Sequence, residues 1–247
     1  MTKKIIRITL AFILINSAFL IALILFPSFS YAHETQVEDV TIYHNEPLPD
    51  HFIETVKTSL QLVKSVEIFD QMPELELCLN DGSSYPGVIK RLLGDDVFRA
   101  FANKSVMMGD MTGTGKMRVW GREVNTAQFL AHAFIHNLQF QYHGLWDANP
   151  LGGHAEWKWE GYVEYELLGK ENDLVYFKNK ISGIKEDYDW VKLHEGKATV
   201  KRHIEYLMLV KYCMEEKGLD YVSLTDSELT EAQVREEMDE FIRLSDR

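Results

Sequence analysis

The sequence predicts an α+β protein, and two patterns along the chain support this fold class. Short apolar runs separated by turn residues occupy the first half, which is typical of strands and short helices. From Thr126 onward, apolar residues recur at helical spacing instead. Strands that come first and helices that follow favour α+β over an alternating α/β arrangement.

Size and charge narrow the class of protein further. The chain has 247 residues, of which 46% are hydrophobic and 26% charged, as in an ordinary globular protein. We expect residues 33–247 to form a single domain. The net charge of −12 would repel a phosphate backbone, so we predict no nucleic-acid partner.

Residues 1–32 have the pattern of a leader. Three cations precede an uncharged apolar run over residues 8–26, and the small residues Ser30 and Ala32 lie at positions −3 and −1 before His33. This layout predicts a secretory signal peptide. The run also approaches the roughly 20 residues that span a bilayer, so an N-terminal membrane anchor is the alternative.

Either interpretation of the leader implies export. We expect residues 33–247 to be periplasmic or extracellular, or else held at the inner membrane by the leader. Contact with the membrane is expected only through residues 8–26, and only if the leader is retained.

The elements of the first half follow from local patterns. Asp50 can cap a helix because the apolar residues after it follow helical spacing. The sequence predicts a helix over 50–64, strands over 66–69 and 75–79, a short helix over 88–93, and two paired strands over 105–108 and 117–120.

A glycine-rich segment that begins at Gly109 joins the last two predicted strands. It is superficially similar to a phosphate-binding loop, but Asp110 stands where that motif needs glycine, and Met117 where it needs a hydroxyl. A hairpin turn is the better interpretation.

The second half is predicted to be mainly helical, and it contains one of the two cysteines. Helices are expected near 126–142, 155–169, 172–181, 198–217 and 230–244. Cys78 and Cys213 are the only cysteines. In an oxidising compartment they could form a disulfide, or they could be two separate buried thiols.

A candidate metal site lies in the first two of these helices. His132 and His136 are four residues apart, so they share one helix face. Glu160, on the next predicted helix, can supply a carboxylate. Two histidines and one glutamate leave a fourth tetrahedral position open, which is the pattern of catalytic Zn²⁺ sites.

Histidines at this spacing are often only packing residues, but their surroundings favour a ligand role here. Phe134 and Leu138 make the first helix largely apolar, and a buried histidine needs a polar partner. Glu160 lies between Trp159 and Tyr162, where an unpaired carboxylate would be costly.

Residues 157–165, WKWEGYVEY, resemble a phrase of the gluzincin metallopeptidases, W-x-x-E-G-x-x-E-Y. Those enzymes carry His-Glu-x-x-His on the preceding helix. The resemblance covers about residues 125–170, with an extension to the helix around His203–Cys213, and is greatest to uncharacterised bacterial members that are exported or membrane-anchored. It implies a zincin-like fold, zinc ligands His132, His136 and Glu160, and an outer role for Glu164 in orienting a ligand histidine.

One departure from the family pattern affects the mechanism. Ala133 stands where the family has its general base, and alanine cannot accept a proton from water. General acid–base groups contribute about 10²–10⁴-fold to a rate. By the same resemblance, Tyr206 and His203 are candidates for stabilising an oxyanion, although Tyr206 also fits a core position.

Three functions are compatible with this pattern. The first is an exported zinc-binding protein that has lost peptidase activity and holds a peptide or protein ligand. The second is an active zinc hydrolase with a substitute base, for which His143, His154 and Glu156 are the nearest candidates. The third is an interaction domain that binds no metal.

Overall fold

A five-stranded mixed sheet forms much of the first half of the chain. The structure, a computed structural model, describes residues 2–94, 96–111, 117–119, 121–148 and 153–245. The sheet has the order β1-β2-β3-β5-β4, in which β2, β3 and β5 are parallel and the edge strands β1 and β4 are antiparallel to their neighbours. Its strands are β1 His33–Val37, β2 Val40–His44, β3 Leu75–Cys78, β4 Phe98–Phe101 and β5 Lys104–Met107.

Two smaller sheets follow. One has three antiparallel strands, β6 Asp110–Met111, β7 Met117–Val119 and β8 Arg122–Val124. The other is the hairpin of β9 Trp190–Lys192 and β10 Ala198–Val200. The α+β class is therefore confirmed.

Helices surround the main sheet and make up most of the second half. Their bounds are α1 Thr2–Leu25, α2 Asp50–Val63, α3 Tyr85–Leu93, α4 Thr126–His143, α5 Glu156–Glu164, α6 Leu174–Ile181, α7 Lys201–Lys211, α8 Tyr221–Asp226 and α9 Glu231–Ser245. Wider π-helical turns extend α5 over Tyr165–Gly169 and α7 over Tyr212–Glu216.

The helix α4 occupies the centre of the molecule. Its start is fixed by the Asn125 side chain, which accepts a hydrogen bond from the backbone N–H of Gln128 at 3.2 Å. Asn137, also on α4 and almost fully buried, donates to the carbonyl oxygens of Ala102 and Lys104 and accepts from the Ser105 hydroxyl. These bonds hold the helix against the β4–β5 hairpin.

Two strand predictions are wrong. Residues 66–69 form turns rather than a strand: the N–H of Val66 donates to Val63 O, and that of Phe69 donates to Val66 O. Residues 105–108 and 117–120 do not pair with each other, because β5 pairs with β3 and β4 whereas β7 pairs with β6 and β8. Most of the glycine-rich turn, 112–116, and Trp120 lie outside the described residues.

The two cysteines are free and buried in different places. Cys78 packs with Tyr85, Ile89 and Val106, whereas Cys213 belongs to the main core. The interpretation as two separate thiols is confirmed, and the disulfide is excluded in this fold.

The first helix, α1, contains a candidate membrane span. Its segment Arg7–Leu25 is long and apolar enough to cross a membrane, and it makes up most of α1. An apolar helix at this place can be a signal peptide or a membrane anchor.

Candidate metal centre

Three side chains from α4 and α5 converge on one point. His132 and His136 project from the same face of α4, and Glu160 reaches them from α5. The two Nε2 atoms are 3.0 Å apart, and Glu160 Oε2 lies 3.4 Å from that of His132 and 3.3 Å from that of His136. The structure therefore brings together the three residues that the sequence selects.

This triangle of donor atoms has the size that a tetrahedral metal ion needs. Ligands about 2.0–2.1 Å from zinc, at tetrahedral angles, lie about 3.3–3.4 Å from one another. The three observed separations are 3.0–3.4 Å. The group could thus hold a metal ion with only small adjustments of the side chains.

Gln139 fixes the orientation of the His136 ring by contacting Nδ1, on the side away from the triangle. The amide nitrogen of Gln139 donates to the carbonyl oxygen of Trp159 at 3.1 Å, so its amide oxygen faces His136 Nδ1 at 2.7 Å. An oxygen at that place accepts a proton carried on Nδ1. This tautomer leaves a lone pair on Nε2, directed into the triangle.

Glu164 takes the corresponding place behind His132. Its Oε1 lies 3.6 Å from His132 Nδ1 and accepts hydrogen bonds from the Thr199 hydroxyl at 2.7 Å and from His203 Nδ1 at 3.0 Å. Glu164 is almost fully buried. A carboxylate behind a ligand histidine favours a proton on Nδ1 and therefore a lone pair on Nε2.

The electrostatics of the triangle favour a positive charge within it. Burial would raise the pKa of Glu160, but the neighbouring histidines hold that pKa well below its ordinary value. Burial likewise opposes charge on His136, yet the Glu160 carboxylate raises the pKa of that ring. In the metal-free protein, a proton on an imidazole supplies the cation that these groups attract.

A close approach of two helices sets the position of Glu160. Next to it in α5 is Gly161, where a Cβ atom would lie only 2.6 Å from the carbonyl oxygen of Tyr206 on α7. Only glycine allows this backbone approach. The contact fixes α5 at the distance from α7 that the Glu164–His203 hydrogen bond also spans.

The remaining residues singled out in the sequence occupy distinct places. Ala133, on α4, is buried in the main hydrophobic core. The hydroxyl of Tyr206 accepts from Arg202 Nε at 2.8 Å and donates to Glu156 Oε2 at 3.2 Å, so Arg202 and Glu156 engage it.

Among the two oxyanion candidates, His203 is the one that contacts the site. Its ring stacks against His132 with the ring centres 6.1 Å apart. Burial would lower the pKa of His203, but the hydrogen bond to Glu164 and the charge of Glu160 raise it to about 9.

A second histidine pair lies beyond the end of this site. The rings of His143 and His154 are 4.4 Å apart, and His154 stacks on Trp159. The Nε2 atom of His143 lies 2.9 Å from the Tyr221 hydroxyl. These two substitute-base candidates thus form an aromatic cluster next to Trp159.

Two orienting residues are missing from the sequence-based prediction. Gln139 could have been found, because it follows His136 by three residues and so lies on the same face of α4. Thr199 lies on β10, and no local pattern connects it with Glu164.

Comparison with protein-family models, curated proteins and solved structures finds no match for this chain. The gluzincin resemblance therefore depends on the residues of α4 and α5 alone, and membership of that family stays a prediction.

Proposed function

We propose that this chain binds one Zn²⁺ ion through His132, His136 and Glu160. The observation that carries the proposal is the convergence of three donor atoms within 3.0–3.4 Å, with Gln139 and Glu164 behind the two rings. If both rings carry their proton on Nδ1, two lone pairs and an anionic oxygen face each other. Such a group is stable only around a cation.

The donor set favours zinc over other common metal ions. Magnesium and calcium prefer oxygen ligands and higher coordination numbers. Two imidazole nitrogens with one carboxylate suit a borderline-soft ion, and four-coordinate Zn²⁺ accepts this set readily. Zinc supplies Lewis acidity, which polarises a carbonyl group and lowers the pKa of water.

We propose that catalysis is impaired although the metal is retained. Ala133 has no group that can accept or deliver a proton, and the candidate substitutes are engaged elsewhere: Glu156 with Tyr206, and His143 with Tyr221. His203, which borders the ligands, donates to Glu164. The chain then acts as a metal-dependent binding module of zincin-like fold.

The expected ligand of this module is a peptide or protein outside the cytoplasm. A carbonyl group held at this site would be bound without cleavage of the adjoining bond, because none of the described residues there transfers the protons that hydrolysis requires. Export is supported by the apolar run of residues 8–26, which follows the cations Lys3, Lys4 and Arg7.

Metal content tests this proposal directly. We would purify the full chain in mild detergent and measure zinc by inductively coupled plasma mass spectrometry, alongside His136→Ala and His143→Ala. Both substitutions remove a histidine from α4, but only the first removes a proposed ligand. We expect about one zinc per chain in the wild type and in His143→Ala, and loss of zinc in His136→Ala.

Two outcomes would contradict the proposal. One is a wild-type protein that holds no zinc even after incubation with it. The other is equal loss of zinc in both variants, which would point to a general effect of removing histidines from α4.

A further inference from the structure

The end of α1 and the segment that follows it are built into the fold. The Tyr85 hydroxyl donates to the carbonyl oxygen of Ile24, and the Ser83 hydroxyl donates to that of Ser30, both at 2.8 Å. In the opposite direction, the Tyr31 hydroxyl donates to the carbonyl oxygen of Leu79, also at 2.8 Å. Residues 24–31 thus make three side-chain hydrogen bonds to the chain beyond residue 33.

Apolar packing accompanies these bonds. Ile24 and Tyr31 pack against the small core cluster that contains Cys78, Tyr85 and Ile89. The Tyr31 ring lies 6.1 Å from that of Tyr85 and stacks on the ring of Tyr43, on β2, at 6.0 Å. Pro27 is buried as well.

Removal of residues 1–32 would expose this part of the domain. Tyr85 is 0% exposed in the fold, and its hydroxyl would lose its partner Ile24. The bond expected to be cut, Ala32–His33, joins the segment directly to β1, and the N–H of Ala32 donates to Asn45 Oδ1 at 2.9 Å.

The surface of α1 has the opposite character. The membrane-length segment Arg7–Leu25 has a mean hydropathy of 2.6, and none of it is buried within the described part of the protein. Just beyond it, the rings of Phe26 and Phe29 lie 6.0 Å apart and are 54% and 76% exposed. A soluble protein rarely exposes a continuous apolar surface of this size, whereas a lipid bilayer covers one.

We propose that the leader is retained as a membrane anchor, and that residues 24–32 are a rigid neck which fixes the domain to the bilayer surface. The bilayer covers α1, and Phe26 and Phe29 enter its interfacial layer. The hydrogen bonds of Tyr85, Ser83 and Tyr31 hold the domain in one orientation on this anchor. This inference does not depend on the metal site.

The first experiment asks whether the leader stays on the protein. The full chain, with a tag at its C-terminus, would be produced in a bacterium, and its membranes extracted with alkaline carbonate. We expect the protein in the membrane pellet, and peptide mapping by mass spectrometry to find the Ala32–His33 bond intact. A soluble product that begins at His33 would overturn the proposal.

The second experiment tests whether the neck is held by the domain. The full chain in detergent would be treated with chymotrypsin, which can cut after Phe29 and Tyr31, and compared with Tyr85→Phe and with Tyr85→Phe/Ser83→Ala. Each lost hydroxyl should speed cutting in the neck by roughly 2–10-fold, because the open form becomes more populated.

Tyr188→Phe is the matched control, because Tyr188 is 74% exposed and its hydroxyl is not among the neck contacts. We expect wild-type rates for this variant. If the wild-type neck is cut as fast as that of the double variant, the neck is not fixed by these contacts and the proposal fails.

Discussion

Two histidine pairs lie near each other in this molecule, and they differ in what surrounds them. The rings of His132 and His136 are 4.7 Å apart, and those of His143 and His154 are 4.4 Å apart. One ring of each pair stacks on Trp159 at 5.8 Å, with interplanar angles of 14° and 15°. By ring distance and packing alone, the two pairs are nearly equivalent.

The difference lies in the carboxylates. Glu160 lies within ion-pair distance of both rings of the first pair, and Glu164 lies behind His132. In the second pair, His143 meets the Tyr221 hydroxyl, and burial together with the nearby His154 lowers the pKa of His143. Two close histidines make a cation site only where anionic partners offset the loss of hydration.

The largest expected effect comes from adding a carboxylate to the first pair. Ala133→Glu restores the residue type that the gluzincin pattern has beside its first histidine. If the zinc site is formed, we expect peptide hydrolysis to rise by about 10²–10⁴-fold over the wild type. The assay is cleavage of casein or a fluorogenic peptide library by the zinc-loaded full chain.

Ala133→Gln is the control for this gain. Glutamine has almost the same shape but cannot take up a proton, so its activity should stay at the wild-type level. Equal activity in both variants would argue against a general-base role at residue 133. Because residue 133 is buried, thermal unfolding of both variants would show whether each of them still folds.

A smaller effect, on zinc affinity, is expected from removing the charge of Glu164, the carboxylate next to His132 Nδ1. Glu164→Gln keeps the shape but removes the charge that Thr199, His203 and His132 face. Loss of an outer partner of this kind typically lowers metal affinity by about 10–100-fold. Competition with a zinc chelator measures this change.

Glu171→Gln removes the same charge from an exposed position and is the matched control. We expect its zinc affinity to equal that of the wild type. If both variants bind zinc equally well, Glu164 does not tune the site, and the contrast between the two histidine pairs would depend on Glu160 alone.

The smallest effect is a difference in titration. In the metal-free protein, His203 should titrate near pH 9, whereas His143 should titrate below its ordinary value of about 6.5. His203 therefore contributes stability that is fully present below about pH 6.5 and is lost as the pH rises through 9. His143, whose pKa is lowered, contributes stability above about pH 6.5 that is lost on acidification.

A pH titration followed by nuclear magnetic resonance measures the pKa values of His203 and His143 from their ring proton signals. The variants His143→Gln and His203→Gln assign each signal to its residue. Similar pKa values for the two rings would remove the electrostatic basis of the comparison.

The parts of the fold that could be predicted are those with long periodic patterns. The helix expected over 126–142 is found at Thr126–His143, and the one near 230–244 at Glu231–Ser245. Strand pairing was harder because it depends on distant partners: β5 pairs with β3, which precedes it by about 30 residues. The strand prediction over 66–69 is wrong because a short apolar run is equally compatible with a strand and with a turn that packs on the core.

The candidate site divides in the same way. Helical spacing identified His132 and His136, and the apolar surroundings of Glu160 singled out that carboxylate. The position of the neighbouring α7, which brings His203 to Glu164, follows from tertiary packing and has no local signature. Sequence reasoning thus found the donor atoms, while the structure adds the residues that orient them.

Gly161 has a consequence for how this protein can vary. It touches no donor atom, yet any side chain there would push α5 away from α7 and move Glu160 with it. In a saturation library scored for zinc retention, position 161 should therefore tolerate almost no replacement. Trp159, whose ring stacks on His136, should tolerate replacement by another aromatic residue better than Gly161 tolerates any replacement.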